Sequence, residues 1–227
     1  MHNTISIFDN ELRNAFLKRA KNTAYKTPEI AELLQESITE RLSYIGSKFN
    51  KIEISGIIDF DFQNFVDQSA SQNAIISVLE LQFINDVPAF LMDVKSRMNP
   101  GDIFLCFFLG GSTFKELRER LEQLDLDVLG GISPKIAPMI AIKDAGMLAQ
   151  KSGFKNVVAD SEIVQIEYEC LKAMQKDIAS LGIGNCLISR SKSYLGKNYL
   201  TQLKQSLDAK PITLDFELIS LQASLAL

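Results

Sequence analysis

The composition of the chain limits what it can be. Its 227 residues suffice for one domain with a sizeable core, and 46% hydrophobic with 23% charged residues is typical of a globular protein. The formal net charge of −4 and a pI near 5.2 give no electrostatic reason to expect nucleic-acid binding. We therefore expect a globular protein that does not bind nucleic acid.

The histidine and cysteine content argues against several kinds of site. The only histidine, His2, is almost at the start of the sequence, so Ser-His and Cys-His catalytic arrangements and histidine-based metal sites are not expected. Cys106, Cys170 and Cys186 lack metal-ligand spacing, and we expect buried free thiols in a reducing compartment. We predict no metal site.

Membrane and targeting signals are not apparent. No apolar run is long enough to span a bilayer, and the first residues are neither arginine-rich nor followed by an apolar signal core. We expect no membrane span and a cytoplasmic location. Because no linker rich in Pro, Gly or Ser divides the chain, we predict a single domain over residues 1–227, with a helical segment over 1–50 and an α/β region over 51–227.

Helices and then strands are predicted in the first third of the chain. A helix is expected over Glu11–Ala20. Thr27-Pro28 places a capping hydroxyl before a proline at the first helical position, and Gly46 is placed to end that helix. The pattern then changes, because Lys51–Ile58 and Ala74–Leu81 are typical of strands.

The middle of the chain continues this alternation. Asn85-Asp86-Val87-Pro88 opens a helix and Asn99-Pro100-Gly101 closes it. Asp102–Leu109 is nearly continuous apolar sequence, which suits a strand buried on both faces of a parallel sheet. Thr113 and Glu116 have the spacing of a capping box at the start of the next helix.

The last part of the chain predicts two more helices and a final strand. They are expected over Ile142–Gln150, Glu169–Leu181 and Pro211–Leu221, with a stretch resembling a strand pair over Asn156–Tyr168. Strands that alternate with helices indicate an α/β fold with a mostly parallel sheet.

Two segments carry a resemblance to a known family. They are Leu109-Gly110-Gly111-Ser112-Thr113-Phe114-Lys115-Glu116-Leu117-Arg118 and Gly130-Gly131-Ile132-Ser133-Pro134. They resemble the class I S-adenosylmethionine (SAM)-dependent methyltransferase-like family, which includes the biotin-synthesis malonyl-carrier-protein methyltransferases. The chain is more similar still to the methyltransferase-like mitochondrial complex I assembly factor. The resemblance implies a Rossmann-like sheet, here truncated, with N-terminal helices and an antiparallel strand near the C-terminus. It also implies an insert at 110–140 over the substrate side.

The chain departs from the family where the cofactor would bind. Relatives have a Gly-x-Gly-x-Gly-like loop after their first strand and a ribose-binding carboxylate on their second. Here the corresponding strand keeps only Gly56, followed by Ile57 and Ile58. About 15 residues then separate this strand from the family's fourth, whereas each strand-helix step needs roughly 30. We expect no cofactor, with Gly56, Asp59 and Asp61 as weak candidates for binding SAM.

Loss of the second and third strands would alter the sheet. Lys51–Ile58 would become an edge strand whose unpaired main chain must be covered. The candidates are the helix over Thr27–Gly46, the loop over Asp61–Asn73, or a second copy of the chain. We predict a homodimer or a protein partner bound through residues 51–58.

Three functions stay open on the sequence. The first is a degenerate methyltransferase-like protein, not catalytic, that binds a protein partner or acts in assembly. The second is an active SAM-dependent methyltransferase, or an assembly-factor-like protein-modifying enzyme, with an altered cofactor pocket. The third is an α/β module that binds another small ligand near Asp59, Leu81 and Leu109. No catalytic residue is assigned, and the candidates for a substrate or partner surface are Gln82, Phe83, Gly110, Gly111, Gly130, Gly131, Ser133 and Asn185.

Overall fold

A computed structural model describes residues 5–22, 29–45, 48–56, 62–192, 195–208 and 211–225. Within these ranges the chain forms seven α-helices, two short 3-10 helices (Gln63–Phe65 and Leu81–Phe83) and five strands. The helices are α1 (Asn10–Lys21), α2 (Glu29–Ile45), α3 (Val87–Ser96), α4 (Lys115–Leu129), α5 (Ile142–Lys151), α6 (Leu171–Ser180) and α7 (Gly196–Asp208). The strands are β1 (Ile52–Gly56), β2 (Ala74–Val78), β3 (Ile103–Leu109), β4 (Lys155–Tyr168) and β5 (Ile212–Ser224).

The strands form one sheet in the order β1-β2-β3-β5-β4. β1, β2 and β3 are parallel, while β5 is antiparallel to both β3 and β4. Four strands therefore run in one direction and only β5 opposes them. The predicted α/β class, with a mostly parallel sheet and an antiparallel strand near the C-terminus, is confirmed.

The strand β3 lies in the middle of two hydrophobic layers. Its residues Leu105 and Phe107 belong to one buried cluster, while Phe104 and Phe108 belong to the other. The first cluster includes apolar residues of α2, α4, α6 and α7, and the second those of α3 and α5. Burial on both faces is what the continuous apolar sequence of β3 predicts.

Most of the predicted elements are present, with several corrections. The stretch expected to be a strand pair is the single strand β4, which carries an irregularity in its pairing near Lys155. The helix α7 was not predicted. Cys106 and Cys186 are buried as expected, but Cys170 is exposed because it immediately precedes α6. The predicted helix signals Thr27, Pro28 and Gly46 lie outside the described residues.

The predicted capping box at the start of α4 is wrong. The helix begins at Lys115, and its N-cap residue is Phe114, which has a left-handed backbone (φ 59°) and makes no side-chain capping bond. The hydroxyl of Thr113 instead accepts a hydrogen bond from the main-chain N–H of Glu217 at 3.1 Å. A contact with β5 therefore replaces the local cap.

The strand β1 forms an edge of the described sheet, as predicted. Within the described ranges it pairs only with β2. The segment after it pairs with the residues just before the strand rather than with the strand itself, through a parallel bridge between Phe49 and Val66 and a bond from Asn50 N to Gln72 O. All of β1 is half-buried, whereas all of β2 is buried.

No helix among the described residues is both long and apolar enough to cross a membrane.

Candidate functional site

The carboxyl ends of β1 and β2 meet in a small polar cluster. One oxygen of Glu80 accepts hydrogen bonds from the hydroxyl of Ser55, at the end of β1, and from that of Ser77 on β2, at 2.7 and 3.1 Å. Because the two strands are parallel and in register, Ser55 lies directly beside Ser77. The Glu80 carboxylate therefore links the ends of β1 and β2.

A buried arginine of α1 lies at the same carboxyl ends of the strands. Arg13 is only 7% exposed, and its guanidinium donates to the carbonyls of Leu79, at 3.1 Å, and Gly182. It also lies 4.1 Å from the centre of the Phe83 ring, a cation–π contact. Burial lowers the pKa of Arg13 to about 10, so the side chain stays charged at neutral pH.

The candidates Gln82 and Phe83 form the wall around this arginine. Phe83 is buried and packs edge-on against Phe8 with ring centres 5.7 Å apart. Gln82 is also buried, and its amide donates to the carbonyl of Leu79, which thus accepts from two side chains. The carbonyl oxygen of Gln82 has no partner within the described parts of the chain. Leu79 adopts a left-handed backbone (φ 55°), which turns its carbonyl towards both donors.

Gly56, the glycine expected to lie nearest to a cofactor, packs against the neighbouring strand. Gly56 ends β1 with φ 137°, and a Cβ atom there would lie 2.4 Å from the carbonyl oxygen of Val78. The missing side chain therefore allows β1 to approach β2 closely. Asp59 and Asp61, the other two cofactor candidates, lie outside the described residues.

The Gly-Gly pair after β3 contacts β5. Gly110 donates its N–H to the Glu217 carbonyl at 2.8 Å, and the carboxylate of Glu217 accepts from the N–H of Ser112 at 2.7 Å. Gly111 is exposed. The first half of the family signature is therefore bonded to the antiparallel strand β5, through Glu217 and also through the N–H of Phe114, which donates to the Asp215 carbonyl at 2.9 Å.

A buried acid holds the second half of the signature. Asp125, on the inner face of α4, has no exposed surface, and it accepts bonds from the N–H and hydroxyl of Ser133, from the ammonium of Lys135 and from the hydroxyl of Tyr199. The Lys135 ammonium also lies 5.2 Å from the centre of the Tyr199 ring. We call these four residues the Asp125 cluster.

Ionisation within the Asp125 cluster follows from these contacts. Burial disfavours the charged form of Asp125, but the bonds from Lys135, Ser133 and Tyr199 outweigh it and hold the pKa of this carboxyl below its ordinary value. Burial, together with the neighbouring carboxylate, raises the pKa of the Tyr199 hydroxyl. The acid is thus ionised and the phenol neutral at neutral pH, so the cluster is suited to anchoring the loop rather than to proton transfer.

The remaining candidates divide between turns and loop contacts. Gly130 ends α4 in the left-handed conformation (φ 71°), and a Cβ atom at Gly131 would meet nothing within 4 Å, so both act here as turn residues. Asn185 donates to the Pro134 carbonyl at 2.9 Å and accepts from the N–H of Leu187, so it also makes a local cap. The structure therefore joins the loop of Asn185 to the loop of Ser133 through the Pro134 carbonyl, while Phe83 packs against Arg13 and Gln82 shares the Leu79 carbonyl with it.

Sequence reasoning missed the residues that carry the charge in these places. Arg13, Glu80, Asp125 and Lys135 were not among the candidates. Asp125 follows Leu124, which continues the helical spacing of Leu117 and Leu121, and an acid at the border of such an apolar face is a signal that could have been used. Arg13 gives no such signal, because its acceptors are distant in sequence. Within the described ranges, no group of three or more His, Cys, Asp or Glu side chains could hold a metal ion.

Comparison with known proteins gives several relatives, although no family model matches the chain. Human mitochondrial arginine-hydroxylase NDUFAF5 is 28% identical over 71% of this chain and 46% of its own length. The rat protein of the same name is 26% identical over 235 aligned positions, which cover 82% of this chain and 66% of the relative. A putative methyltransferase of Rickettsia prowazekii is 32% identical over 63% of this chain and 64% of its own length.

The chain is a homologue of the NDUFAF5 arginine-hydroxylases and of proteins named methyltransferases. A malonyl-[acyl-carrier protein] O-methyltransferase of Xylella fastidiosa is also similar, with 29% identity over 56% of this chain and 41% of the relative. The resemblance inferred from the Gly110 and Gly130 segments is thereby confirmed. Among solved structures, a putative methyltransferase of Bacillus halodurans aligns with 83% of this chain and 98% of its own, at 7% identity and a TM-score of 0.49. The chain spans about half the length of the human relative.

Proposed function

We propose that this chain is a methyltransferase-like protein that does not bind S-adenosylmethionine and that acts by binding a protein partner. The observation that carries the proposal is the position of β1 at the edge of the described sheet, where it pairs with β2. In the family, the first strand is an interior strand, because the second and third strands lie on its other side. Here only residues 57–73 connect β1 to β2, and two further strand-helix steps need several times that length.

The alignment with the rat relative supports an internal loss. It runs over 235 positions, more than the 227 residues of this chain, yet it includes only 82% of the chain. Some positions of the relative therefore have no counterpart here. A segment missing between β1 and β2 would account for these unmatched positions. It would also explain why these two strands, which are neighbours in the sheet, follow one another in the sequence.

The described residues at the end of β1 do not fit the adenosyl group. A cofactor cradle needs bare main chain that faces an open space, but Gly56 faces the Val78 carbonyl at a distance that no Cβ atom tolerates. The carboxylate of Glu80, beside the end of β1, already accepts bonds from the hydroxyls of Ser55 and Ser77 through one of its oxygens.

The insert supports the second half of the proposal. Leu126, Leu129 and Ile132 are each about half exposed, and they follow one another around the end of α4. The Asp125 cluster fixes the backbone beside them, so the apolar side chains are presented on an ordered support. Exposed apolar groups on a fixed loop are typical of a protein-binding surface.

A second candidate function follows from the names of the relatives. The putative methyltransferase of Rickettsia prowazekii and the malonyl-[acyl-carrier protein] O-methyltransferase favour an active SAM-dependent enzyme with an altered pocket. The two candidates differ in one measurable property, which is binding of the cofactor.

Thermal shift and calorimetry with S-adenosylmethionine and S-adenosylhomocysteine test the proposal. Ligand at a hundred times its dissociation constant stabilises a binding protein by about 2.7 kcal/mol, which such assays detect. We expect no shift for this chain, while an active methyltransferase treated in parallel serves as the positive control. A saturable shift with either compound would overturn the proposal and favour the enzyme.

A further inference from the structure

Within the described residues, the outer edge of β1 carries main-chain groups that no other strand pairs with. The carbonyl of Lys51 accepts from Ala74 N at 2.9 Å, and Ile52 is in register with Ala74. In a parallel ladder this directs the N–H and C=O groups of residues 51, 53 and 55 towards β2. Those of Ile52 and Ile54 therefore point away from the sheet, and within the described ranges no strand pairs with them.

The usual protections of an edge strand are few on β1. Natural edges are blunted by prolines, bulges or inward-pointing charges. The five residues of β1 include no proline, and their pairing with β2 shows no register shift. The side chains of Ile52 and Ile54 pack against the core but remain only half-buried. Such a strand is suited to pairing with another strand.

We infer that β1 pairs in an antiparallel manner with β1 of a second copy of this chain, around a two-fold axis at Ile54. This inference rests on the proposed function, since it names the partner of the strand left at the edge. In this register Ile54 faces its own counterpart, and Ile52 faces the counterpart of Gly56. The outward N–H and C=O groups of one strand then face those of the other strand, and each facing pair of residues exchanges two hydrogen bonds.

Charge and hydrogen bonding favour this register over those with an axis at Glu53 or at Ile52. With the axis at Ile54, Glu53 lies opposite the counterpart of Ser55, and no like charges face one another. An axis at Glu53 would set two carboxylates opposite each other, which is unfavourable. An axis at Ile52 would require the N–H of Asn50, which already donates to Gln72 O at 2.8 Å. Glu53 itself is held by Arg97 on its own chain and need not change partner.

The first experiment measures the mass of the full chain in solution. Light scattering and sedimentation equilibrium are expected to give about twice the chain mass of 25.3 kDa at micromolar concentration. Ile54→Pro removes an outward N–H from each copy without removing a bond to β2. It should weaken the dimer about tenfold or more. Ile54→Val retains the N–H and is the matched control.

The second experiment tests the register and does not depend on the proline variant folding. In a Cys170→Ser background, Ile54→Cys should form an intermolecular disulfide under mild oxidation. Paired Cα atoms lie about 5.5 Å apart in such a ladder, within disulfide range. Ile52→Cys should not, since its two copies would be four residues apart, about 13 Å.

A monomeric mass at all concentrations would overturn the inference. So would a dimer that Ile54→Pro leaves unchanged, or crosslinking at Ile52 that equals crosslinking at Ile54. These results are independent of cofactor binding. A monomer with no response to S-adenosylmethionine overturns only the pairing, and a dimer that responds to S-adenosylmethionine overturns only the proposed function.

Discussion

Replacing Asp125 with alanine should strongly destabilise the fold. The carboxylate is fully buried, and its removal leaves the Lys135 ammonium, the Ser133 N–H and the Tyr199 hydroxyl without their acceptor. Loss of one partner from a buried ion pair costs about 3–5 kcal/mol. The Lys135 side chain is 19% exposed, so water partly solvates the ammonium that is left without its partner. We therefore expect the free energy of unfolding to fall by about 3 kcal/mol, the lower end of this range.

Urea unfolding at pH 7 measures this loss, with thermal unfolding as a second reading. In a chain of this size each kcal/mol lowers Tm by about 2–4 °C. Asp127→Ala is the matched control, because Asp127 is an exposed acid on the same helix that bonds only Gln123. It should change the free energy of unfolding by less than about 0.5 kcal/mol. Equal effects of the two variants, or a loss below about 1 kcal/mol for Asp125→Ala, would refute the reasoning.

The pH dependence of the free energy of unfolding tests whether folding lowers the pKa of Asp125. The pKa of Asp125 is lowered in the folded state, so its contribution to stability is fully present above the ordinary aspartate pKa. That contribution is lost as the pH falls through the lower, folded-state value. The difference between wild type and Asp125→Ala should therefore be constant near neutrality and should shrink in acid. A difference that grows as the pH falls would contradict the assignment.

Two further predictions concern the carboxyl ends of the strands. Gly56→Ala should lower the free energy of unfolding by about 2 kcal/mol or more in urea, because Gly56 has a positive φ and a Cβ atom there would meet the Val78 carbonyl. Gly131→Ala is the control and should have little effect, since a Cβ atom there meets nothing within 4 Å. Equal losses for the two variants would contradict the close packing of β1 on β2. Arg13→Ala should cost about 2–3 kcal/mol, since the Gly182 carbonyl loses the Arg13 donor and the Leu79 carbonyl keeps only Gln82. Lys18→Ala on the exposed face of the same helix should be within about 0.5 kcal/mol, and a neutral Arg13→Ala would show that those bonds contribute nothing.

Periodicity and apolar runs predicted the elements that depend on local sequence. The continuous apolar run of β3 predicted burial on both faces, and its residues do alternate between two clusters. Asp86 and Pro88 predicted the start of α3, and the structure has Asp86 as its N-cap and Pro88 in its first turn. The short connection after β1 predicted that this strand lies at the edge, and it does within the described sheet. In each case the signal lies within a few residues of the feature.

Distant contacts decided what the sequence could not predict. Thr113 is bonded to a residue 104 positions later, which overrides the local capping pattern with Glu116. The helix α7 was missed because its buried residues Tyr199 and Leu207 are few among polar neighbours. Arg13 bonds to carbonyls 66 and 169 residues away, a pairing for which a single sequence has no local sign.

The contacts of Arg13 also bear on the order of folding. The first helix is synthesised long before Gly182, yet its guanidinium finds one of its two carbonyl acceptors only there. Until the segment around Gly182 has been synthesised, the guanidinium of Arg13 lacks this acceptor. The helix α1 therefore gains its full set of hydrogen bonds only after a segment that follows it by about 170 residues is in place.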